Sequence, residues 1–308
     1  MRLVFFGTPA FAVPSLDALV ADGHQIALVV TQPDRPRGRS RSTLLPPPVK
    51  ERARALGIPV VQPERPRGDE FLDALRAAEA ELGVVVAYGH ILKPEILAVP
   101  RLGMINVHAS LLPKLRGAAP INWAILEGEA ETGVSIMQME AGLDSGPVLR
   151  RVATPIGPDE TAGALTERLA RLGAEALGGV VADLAAGRAS PEPQDHARAS
   201  FAPKVDRTVA RIDWTEPAGR AANRIRAFDP APGAWTGLAD TDLKCFAPRV
   251  LDEADGAPGT VIEAGPRLVV ATGRGALQIG EVQPAGRARM TAEAWLRGRP
   301  ISVGTMLR

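Results

Sequence analysis

Cysteine is almost absent from this 308-residue sequence, and so is every pattern that would place the chain in a membrane. Cys245 is the single cysteine, so no intramolecular disulfide can form, and neither a cysteine-based zinc site nor any other metal site is expected. No apolar run reaches the ~18 residues that a membrane-spanning helix needs. The first residues form an apolar strand pattern rather than a signal peptide, which predicts a cytoplasmic protein.

Excess charge and nucleotide-binding fingerprints are missing as well. The 36 basic and 35 acidic side chains leave a net charge of +1, which excludes a globally basic nucleic-acid binder but allows a local basic patch. The first strand is followed by Gly7-Thr8-Pro9, which does not fit G-x-G-x-x-G, and no G-x-x-x-x-G-K-[ST] is present. A nicotinamide or ATP cofactor, and with it a dinucleotide oxidoreductase, therefore has little support.

What the first two hundred residues do contain is a regular alternation of short apolar runs and amphipathic stretches. Strands are predicted at residues 3–6, 26–31, 83–87, 104–107 and 134–139, and helices at 14–21, 48–56, 71–82, 119–128 and 159–184, the last with a potential break at Gly178-Gly179. The alternation predicts an α/β fold with a doubly wound, mostly parallel, Rossmann-like sheet. Ligands bind beyond the carboxyl ends of the strands in such sheets.

The pattern changes in the last third of the chain. A helix at 217–228 is followed by short β-type runs separated by glycine, proline and aspartate, which predict a small β-barrel. Residues 188–206 contain three prolines and show no helical or strand periodicity. We therefore predict a first domain at 1–189, a linker at 190–206 and a barrel domain at 207–308.

Polar side chains at the predicted strand ends are the candidates for chemistry. His108 directly follows the strand 104–107, and Asn106 lies two residues earlier on the same face, so both are expected to project into one crevice. A structural role explains a histidine there equally simply. Asp144, on a glycine-flanked loop after the strand 134–139, can orient an imidazole; a turn-forming aspartate would have the same spacing. Ser110 lies nearby, but without G-x-S-x-G a serine hydrolase has little support.

Residues 33–54 carry seven basic and two acidic side chains, a local net charge of +5 in a proline- and glycine-rich loop. Such a field suits phosphate-backbone contact, including contact with RNA. A solvated surface loop would have the same composition.

Several motifs together make the chain similar to a known family. They are Phe-Gly-Thr-Pro at 6–9, Thr-Gln-Pro-Asp-Arg-Pro at 31–36, Val-Ala-Tyr-Gly at 86–89, Ile-Asn-Val-His at 105–108, Ser-Leu-Leu-Pro at 110–113, Gly-Leu-Asp-Ser-Gly at 142–146, Arg-Ile-Asp-Trp at 211–214 and Gly-Ala-Trp at 233–235. With these, the chain resembles the folate-dependent formyltransferases over its full length, and among them the methionyl-tRNA formyltransferases. The family has a formyltransferase catalytic domain followed by a small OB-like barrel that contacts tRNA.

The resemblance implies transfer of a formyl group from 10-formyltetrahydrofolate to the α-amino group of initiator methionyl-tRNA, by a monomer that uses no metal. It implies that Asn106 is an oxyanion donor, that His108 supports the oxyanion or shuttles the proton, and that Asp144 orients His108. The implied folate pocket consists of Ser110, Leu111, Leu112, Pro113, Tyr88 and Gly89, and the implied contacts with the acceptor arm of the tRNA are Arg35, Arg37, Arg39, Arg41 and Lys50.

Three alternatives share parts of this pattern. A formyltransferase acting on a sugar nucleotide and a 10-formyltetrahydrofolate hydrolase would carry the same asparagine, histidine and aspartate. A non-catalytic RNA-binding protein could keep the fold alone. The basic loop favours the tRNA substrate, because a small substrate needs no extended positive field.

Overall fold

The computed structural model describes residues 1–36, 44–252 and 255–308. Its backbone contacts divide the chain into two compact units. The first unit contains Met1–Pro120, Thr132–Thr154 and Thr166–Pro203, and the second contains Ile121–Glu131, Pro155–Leu165 and Lys204–Arg308. None of the helices within these described ranges is both long and apolar enough to cross a bilayer.

The first two hundred residues alternate strands and helices, as predicted. The strands are β1 (Arg2–Gly7), β2 (Gln25–Val30), β3 (Arg35–Pro36), β4 (Leu44–Leu45), β5 (Val60–Val61), β6 (Leu82–Val86), β7 (Met104–His108), β8 (Glu131–Gln138) and β9 (Val148–Pro155). The helices are α1 (Val13–Ala21), α2 (Pro48–Ala55), α3 (Asp69–Ala77), α4 (Pro94–Leu97), α5 (Pro120–Glu127) and α6 (Ala162–Ala185).

Seven of these strands form one sheet, in the order β5-β2-β1-β6-β7-β8-β9. The pairs from β5 through β7 are parallel, and β8 runs antiparallel to β7. All five residues of β6 are buried, which is why that strand is an uninterrupted apolar run. The predicted doubly wound, mostly parallel sheet is confirmed, and the carboxyl ends of β1, β2, β6 and β7 lie along one edge.

One predicted helix was wrong at its C-terminal boundary, and a second helix is continuous where a break had been considered. The helix predicted at 71–82 ends at Ala77, and Glu79 has a φ of +46° that no α-helix continues through. Helix α6 runs unbroken through Gly178 and Gly179. A Cβ on Gly178 would lie 2.6 Å from a carboxylate oxygen of Asp22, so a larger residue there would require that side chain to move.

The second unit is built on an antiparallel sheet. Its strands are β10 (Trp235–Leu238), β11 (Thr241–Leu251), β12 (Val261–Ala264), β13 (Leu268–Ala271), β14 (Ala276–Pro284) and β15 (Met290–Thr291), in the order β10-β11-β14-β13-β12 with β15 paired to β14. Helices α7 (Ala218–Ala227) and α8 (Ala292–Gly298) complete it, and α8 was not predicted. The predicted small barrel after a mostly parallel domain is confirmed as the fold class.

The predicted boundaries at 189 and 206 differ from the division into units. Residues 190–203 belong to the first unit, where Glu192 forms an antiparallel bridge with Val148 and Phe201 forms a parallel bridge with Arg116. We call residues 192–202 the strap. Its prolines remove the periodicity by which sequence patterns are recognised, but they do not prevent contacts with the sheet unit.

The single tyrosine, Tyr88, offers a clean test of the core around β6. Its ring is 1% exposed and lies edge-on to Phe6, with 5.3 Å between ring centroids. Burial raises the pKa of Tyr88 to about 12. Because the folded state binds the phenolic proton more tightly than the unfolded state, where the pKa is roughly 10, this contribution to stability is present below pH ~10. It is lost as pH rises from ~10 through ~12.

We therefore expect the tyrosinate absorbance of the native protein to rise near pH 12, about two units above that of the urea-unfolded chain. An ultraviolet pH titration of both states measures this. A native midpoint equal to that of the unfolded chain would contradict the burial of Tyr88.

Candidate active site

Strand β7 carries two of the predicted catalytic residues on the same face. Asn106 lies opposite Val85 of β6 and Met137 of β8, so it is in the interior of the sheet, near the carboxyl end of its strand. It is half-buried, and its side-chain amide makes no hydrogen bond to the described part of the chain. A half-buried amide without an internal partner can donate hydrogen bonds to a bound ligand.

The ring of His108 is buried and has a partner on each side. Nε2 lies 3.0 Å from the carbonyl oxygen of Leu115, and Nδ1 lies 3.7 Å from Oδ2 of Asp144. A carbonyl oxygen only accepts hydrogen bonds, so in this arrangement Nε2 carries a proton. The distance from Nδ1 to the carboxylate is that of a charge contact rather than of a hydrogen bond. Nδ1 is therefore the ring nitrogen that faces the carboxylate of Asp144.

Asp144 is held by contacts at its side chain and its backbone. Its Oδ2 accepts a hydrogen bond from the Gly117 N–H at 2.8 Å, and its carbonyl oxygen accepts one from Gln194 Nε2 at 2.8 Å. Its φ of +46° lies in the left-handed region, which a non-glycine residue keeps only where its surroundings hold it. The structure thus brings Asp144 next to His108, as the sequence predicted. The catalytic roles of these residues stay a prediction.

The segment after β7, predicted to bind folate, is tied to β8. Ser135 donates to the carbonyl oxygen of Ser110 at 2.7 Å and accepts from the Leu112 N–H at 3.0 Å. Ser110 is itself buried, and its hydroxyl donates to the carbonyl oxygen of Lys114 at 2.6 Å. Leu111 and Pro113 are only half-buried. Of the four predicted residues, Leu111 and Pro113 are the ones whose side chains can contact a ligand.

The turn after β6 presents its backbone rather than the ring of Tyr88. The Tyr88 carbonyl oxygen accepts from Thr8 Oγ1 at 3.0 Å and from Gln32 Nε2 at 2.9 Å, while the ring lies in the core. Ala87 and Gly89, on either side, are exposed and have φ values of +48° and +88°. The organising role of Thr8 and Gln32 was not predicted. Their position as polar residues just beyond β1 and β2 was the signal for it.

The predicted tRNA-binding residues fall into three groups. Arg37, Arg39 and Arg41 lie outside the described residues. Arg35 is exposed and donates to the Gln32 side chain at 2.9 Å. Lys50 differs from both groups, because its side chain is buried.

The ammonium group of Lys50 donates to both carboxylate oxygens of Asp34, at 2.6 and 2.7 Å. Gln62 donates to the same carboxylate at 2.7 Å. The hydrogen bonds from Gln62 and Lys50 hold the pKa of Asp34 below its usual value. The positive charge of Lys50 is therefore matched inside the protein, and the geometry favours an indirect role, in which Lys50 holds the start of the basic loop.

A buried arginine and a buried glutamine beside the site were not predicted. Arg116 donates to Gln194 Oε1 at 2.7 Å, and Gln194 lies on the strap. Both lie outside the helices and strands, where sequence patterns give no signal. Within the described residues, no group of three or more histidine, cysteine, aspartate or glutamate side chains could hold a metal ion.

The structure thus brings an amide, an imidazole and a carboxylate together at the carboxyl edge of a mostly parallel sheet, a combination of groups that suits acyl transfer. Residues 1–181 match the family model described as "Formyl transferase", and residues 204–300 match "Formyl transferase, C-terminal domain". The chain belongs to the formyl transferase family, as the motifs predicted.

Relatives with assigned names are similar over the whole chain. The methionyl-tRNA formyltransferase of Roseobacter denitrificans is 50% identical over 308 residues, which cover 100% of this chain and 99% of the relative. That of Methylococcus capsulatus is 49% identical over 303 residues, covering 98% of each. The solved N-formyltransferase from Helicobacter canadensis, in complex with folinic acid and dTDP-3-aminofucose, has a TM-score of 0.68 at 18% identity, over 92% of this chain and 99% of that chain. This last likeness shows the shared fold.

Proposed function

We propose that this enzyme transfers the formyl group of 10-formyltetrahydrofolate to the α-amino group of initiator methionyl-tRNA. The observation that carries the proposal is the arrangement of Asn106, His108 and Asp144 at the end of β7, in a chain that is 50% identical over 308 residues to an enzyme of that name. The product, N-formylmethionyl-tRNA, would serve translation initiation in the cytoplasm. The enzyme would act as a monomer.

The reaction needs no covalent enzyme intermediate. An α-amine with a pKa of ~7.7–8.0 is a competent nucleophile near neutral pH. Its nitrogen bonds to the formyl carbon, the bond from that carbon to the folate nitrogen breaks, and one proton passes from the amine to the departing nitrogen. What the protein supplies is position, a donor for the developing oxyanion and a route for the proton.

Each of the three residues has a role that its contacts support. The Asn106 amide, which makes no hydrogen bond within the described ranges, donates to the formyl oxygen as negative charge develops. His108 supports the oxyanion or carries the amine proton through Nδ1, because Nε2 is held by the Leu115 carbonyl oxygen. Asp144 keeps the ring in place and stabilises its charged form during proton transfer.

A folate pocket at this edge of the sheet has support from the exposed backbone and from the apolar packing below it. Ala87 and Gly89 expose peptide groups that can bond the polar edge of a flat heterocycle. Met139 packs both against the core cluster that contains Tyr88 and against the cluster that contains Leu112. The two segments proposed to bind folate therefore share one apolar support.

The tRNA would be held by the basic loop. Arg35 and the arginines at 37, 39 and 41 supply charge for the phosphates of the acceptor arm, and Lys50 with Asp34 anchors the loop. The barrel domain would add backbone contacts. A sugar nucleotide remains the second candidate substrate because of the likeness to the Helicobacter canadensis structure.

The direct test offers the purified enzyme three mixtures. One contains 10-formyltetrahydrofolate with methionine-charged initiator tRNA, one contains the folate with a dTDP-amino sugar, and one contains the folate alone. We expect N-formylmethionyl-tRNA in the first mixture and no donor consumption in the other two. Formylation of the sugar, or consumption of donor without any acceptor, would contradict the proposal.

Asn106→Asp should lower kcat by roughly 10²–10³-fold, because an ionised carboxylate cannot donate to the oxyanion. Steady-state kinetics with methionyl-tRNA measures this. Folate binding, followed by fluorescence, and the thermal midpoint should stay close to wild type, which separates a lost donor from a damaged fold. Full turnover by this variant would rule out Asn106 as the oxyanion donor.

Removal of a charge from the basic loop should change the affinity for tRNA, and its dependence on salt, without changing the affinity for folate. Arg39→Ala should weaken tRNA affinity and reduce the slope of log Kd against log salt by about one. Affinity for folate should be unchanged. Arg76→Ala is the matched control, because it removes an exposed arginine on α3, outside the basic loop. Filter binding across a salt series measures both variants, and equal effects of the two would contradict a role for the loop.

A further inference from the structure

The strap connects the two loops that flank the ring of His108. Ser200 accepts the Leu115 N–H at its hydroxyl, at 2.9 Å, and the Arg116 N–H at its carbonyl oxygen, also at 2.9 Å. Gln194 donates to the carbonyl oxygens of Asp144 and Gly146, at 2.8 and 2.7 Å. One short segment thus holds both the carbonyl that fixes Nε2 of His108 and the loop that carries its carboxylate neighbour.

Gln194 uses every strong hydrogen-bonding position of its amide. Both protons go to the 144–146 turn, and Oε1 accepts from Nε and Nη2 of Arg116, at 3.2 and 2.7 Å. The side chain is buried, so water does not compete for these bonds. No other residue type offers two donors and one acceptor in a side chain of this shape.

Arg116 strengthens the hydrogen bonds that Gln194 donates. It is only 5% exposed, yet within the described residues its guanidinium contacts no carboxylate; it donates to Gln194 and lies 3.1 Å from Nδ1 of His196. A cation on the amide oxygen polarises the amide and strengthens its two N–H donors. The buried charge therefore reinforces the grip of Gln194 on the turn.

The turn needs such a grip. Asp144 adopts a φ of +46°, and its carboxylate must stay within reach of the Gly117 N–H to remain 3.7 Å from the imidazole. Gly117, the donor of this hydrogen bond, directly follows Arg116. Arg116 also donates to Gln194, which in turn donates to the carbonyl oxygen of Asp144. Arg116 is therefore linked to both the donor and the acceptor residue. Release of the 144–146 turn would move the carboxylate away from His108.

We propose that Gln194 is a positioning residue for catalysis, which acts through Asp144 by holding the turn 144–146. Its buried amide is fully used by Arg116 and the turn, so we assign it no direct contact with a substrate. The inference rests on the proposed function for the choice of acceptor in the kinetic assay. Loss of the grip should lower kcat and leave the KM for each substrate within about twofold. A displacement of about 1 Å in a catalytic group can cost up to ~10²-fold in rate.

Gln194→Glu is the sharpest variant. The carboxylate keeps an acceptor for Arg116 and gives that buried cation a counter-ion, so the unit should fold. It loses both donors to the turn and sets negative charge against two carbonyl oxygens. We expect kcat to fall by roughly 10–100-fold. Gln194→Met removes the donors and the acceptor together, and its kcat should fall at least as far.

Glu192→Gln is the matched control on the same strap. Its carboxylate pairs with Arg151 at 2.6 Å and, within the described part of the chain, forms no hydrogen bond or ion pair with the 144–146 turn. This variant should keep the kcat of the wild-type enzyme. Equal losses in Glu192→Gln and Gln194→Glu would show that the strap as a whole, rather than the amide, matters, and would overturn the proposal.

A double-mutant cycle tests whether Gln194 acts through Asp144. In an Asp144→Asn background, Gln194→Glu should change kcat by less than about twofold, because the carboxylate to be positioned is already gone. Fully additive losses would contradict the proposal. So would a Gln194→Glu variant with wild-type kcat.

A readout without substrate keeps this inference separate from the proposed function. The ring NMR signals of His108, assigned with His108→Gln, should shift in Gln194→Glu and not in Glu192→Gln. Unmoved ring signals would overturn the positioning role, whatever the acceptor is. A wild-type enzyme that moves no formyl group to methionyl-tRNA would contradict the proposed function instead, with the NMR result still deciding the role of Gln194.

Discussion

The hydrogen bond from the Gly117 N–H to the carboxylate of Asp144 is the contact on which the geometry of the site depends. It can form because residue 117 is glycine. Its φ is +118°, and a Cβ there would lie 2.8 Å from the carbonyl oxygen of Ala202. Any larger residue would push either the strap or the turn away. The carboxylate then has a fixed place, and the ring of His108 gains a charged neighbour on one side and a carbonyl on the other.

The sheet explains why polar groups from distant parts of the chain meet at this place. Parallel strands end at a common edge, so the residues just beyond β1, β2 and β6 become neighbours there. Thr8 and Gln32 both donate to the carbonyl oxygen of Tyr88. The hydrogen bonds between strands end at this edge, and these two side chains supply hydrogen bonds to the turn after β6 instead. They hold the turn in place although Ala87 and Gly89 adopt left-handed φ values.

Sequence patterns were sufficient for part of this arrangement. Alternation along a strand placed Asn106 and His108 on one face, and residue type together with flanking glycines selected Asp144. Patterns failed where contacts join irregular segments far apart in the chain. Gln194 and Arg116 are 78 residues apart, and neither lies in a periodic element. The pairing of Lys50 with Asp34 was not visible for a related reason, because composition counts charges but does not show which of them are paired.

The positive charges discussed above differ in how strongly dissolved ions screen them. Lys50 and Arg116 are buried, and their partners are fixed side chains, so dissolved ions screen these contacts little. In the proposed function, arginines of the basic loop attract phosphates, and such attraction between solvated charges is screened within about 10 Å at 0.1 M salt. Affinity for a polyanionic substrate can thus vary with ionic strength, or between relatives with different loops, while the distances around His108 stay the same. In the proposed function, the catalytic geometry and the capture of the substrate are therefore separable properties of one domain, because different classes of electrostatic contact produce them.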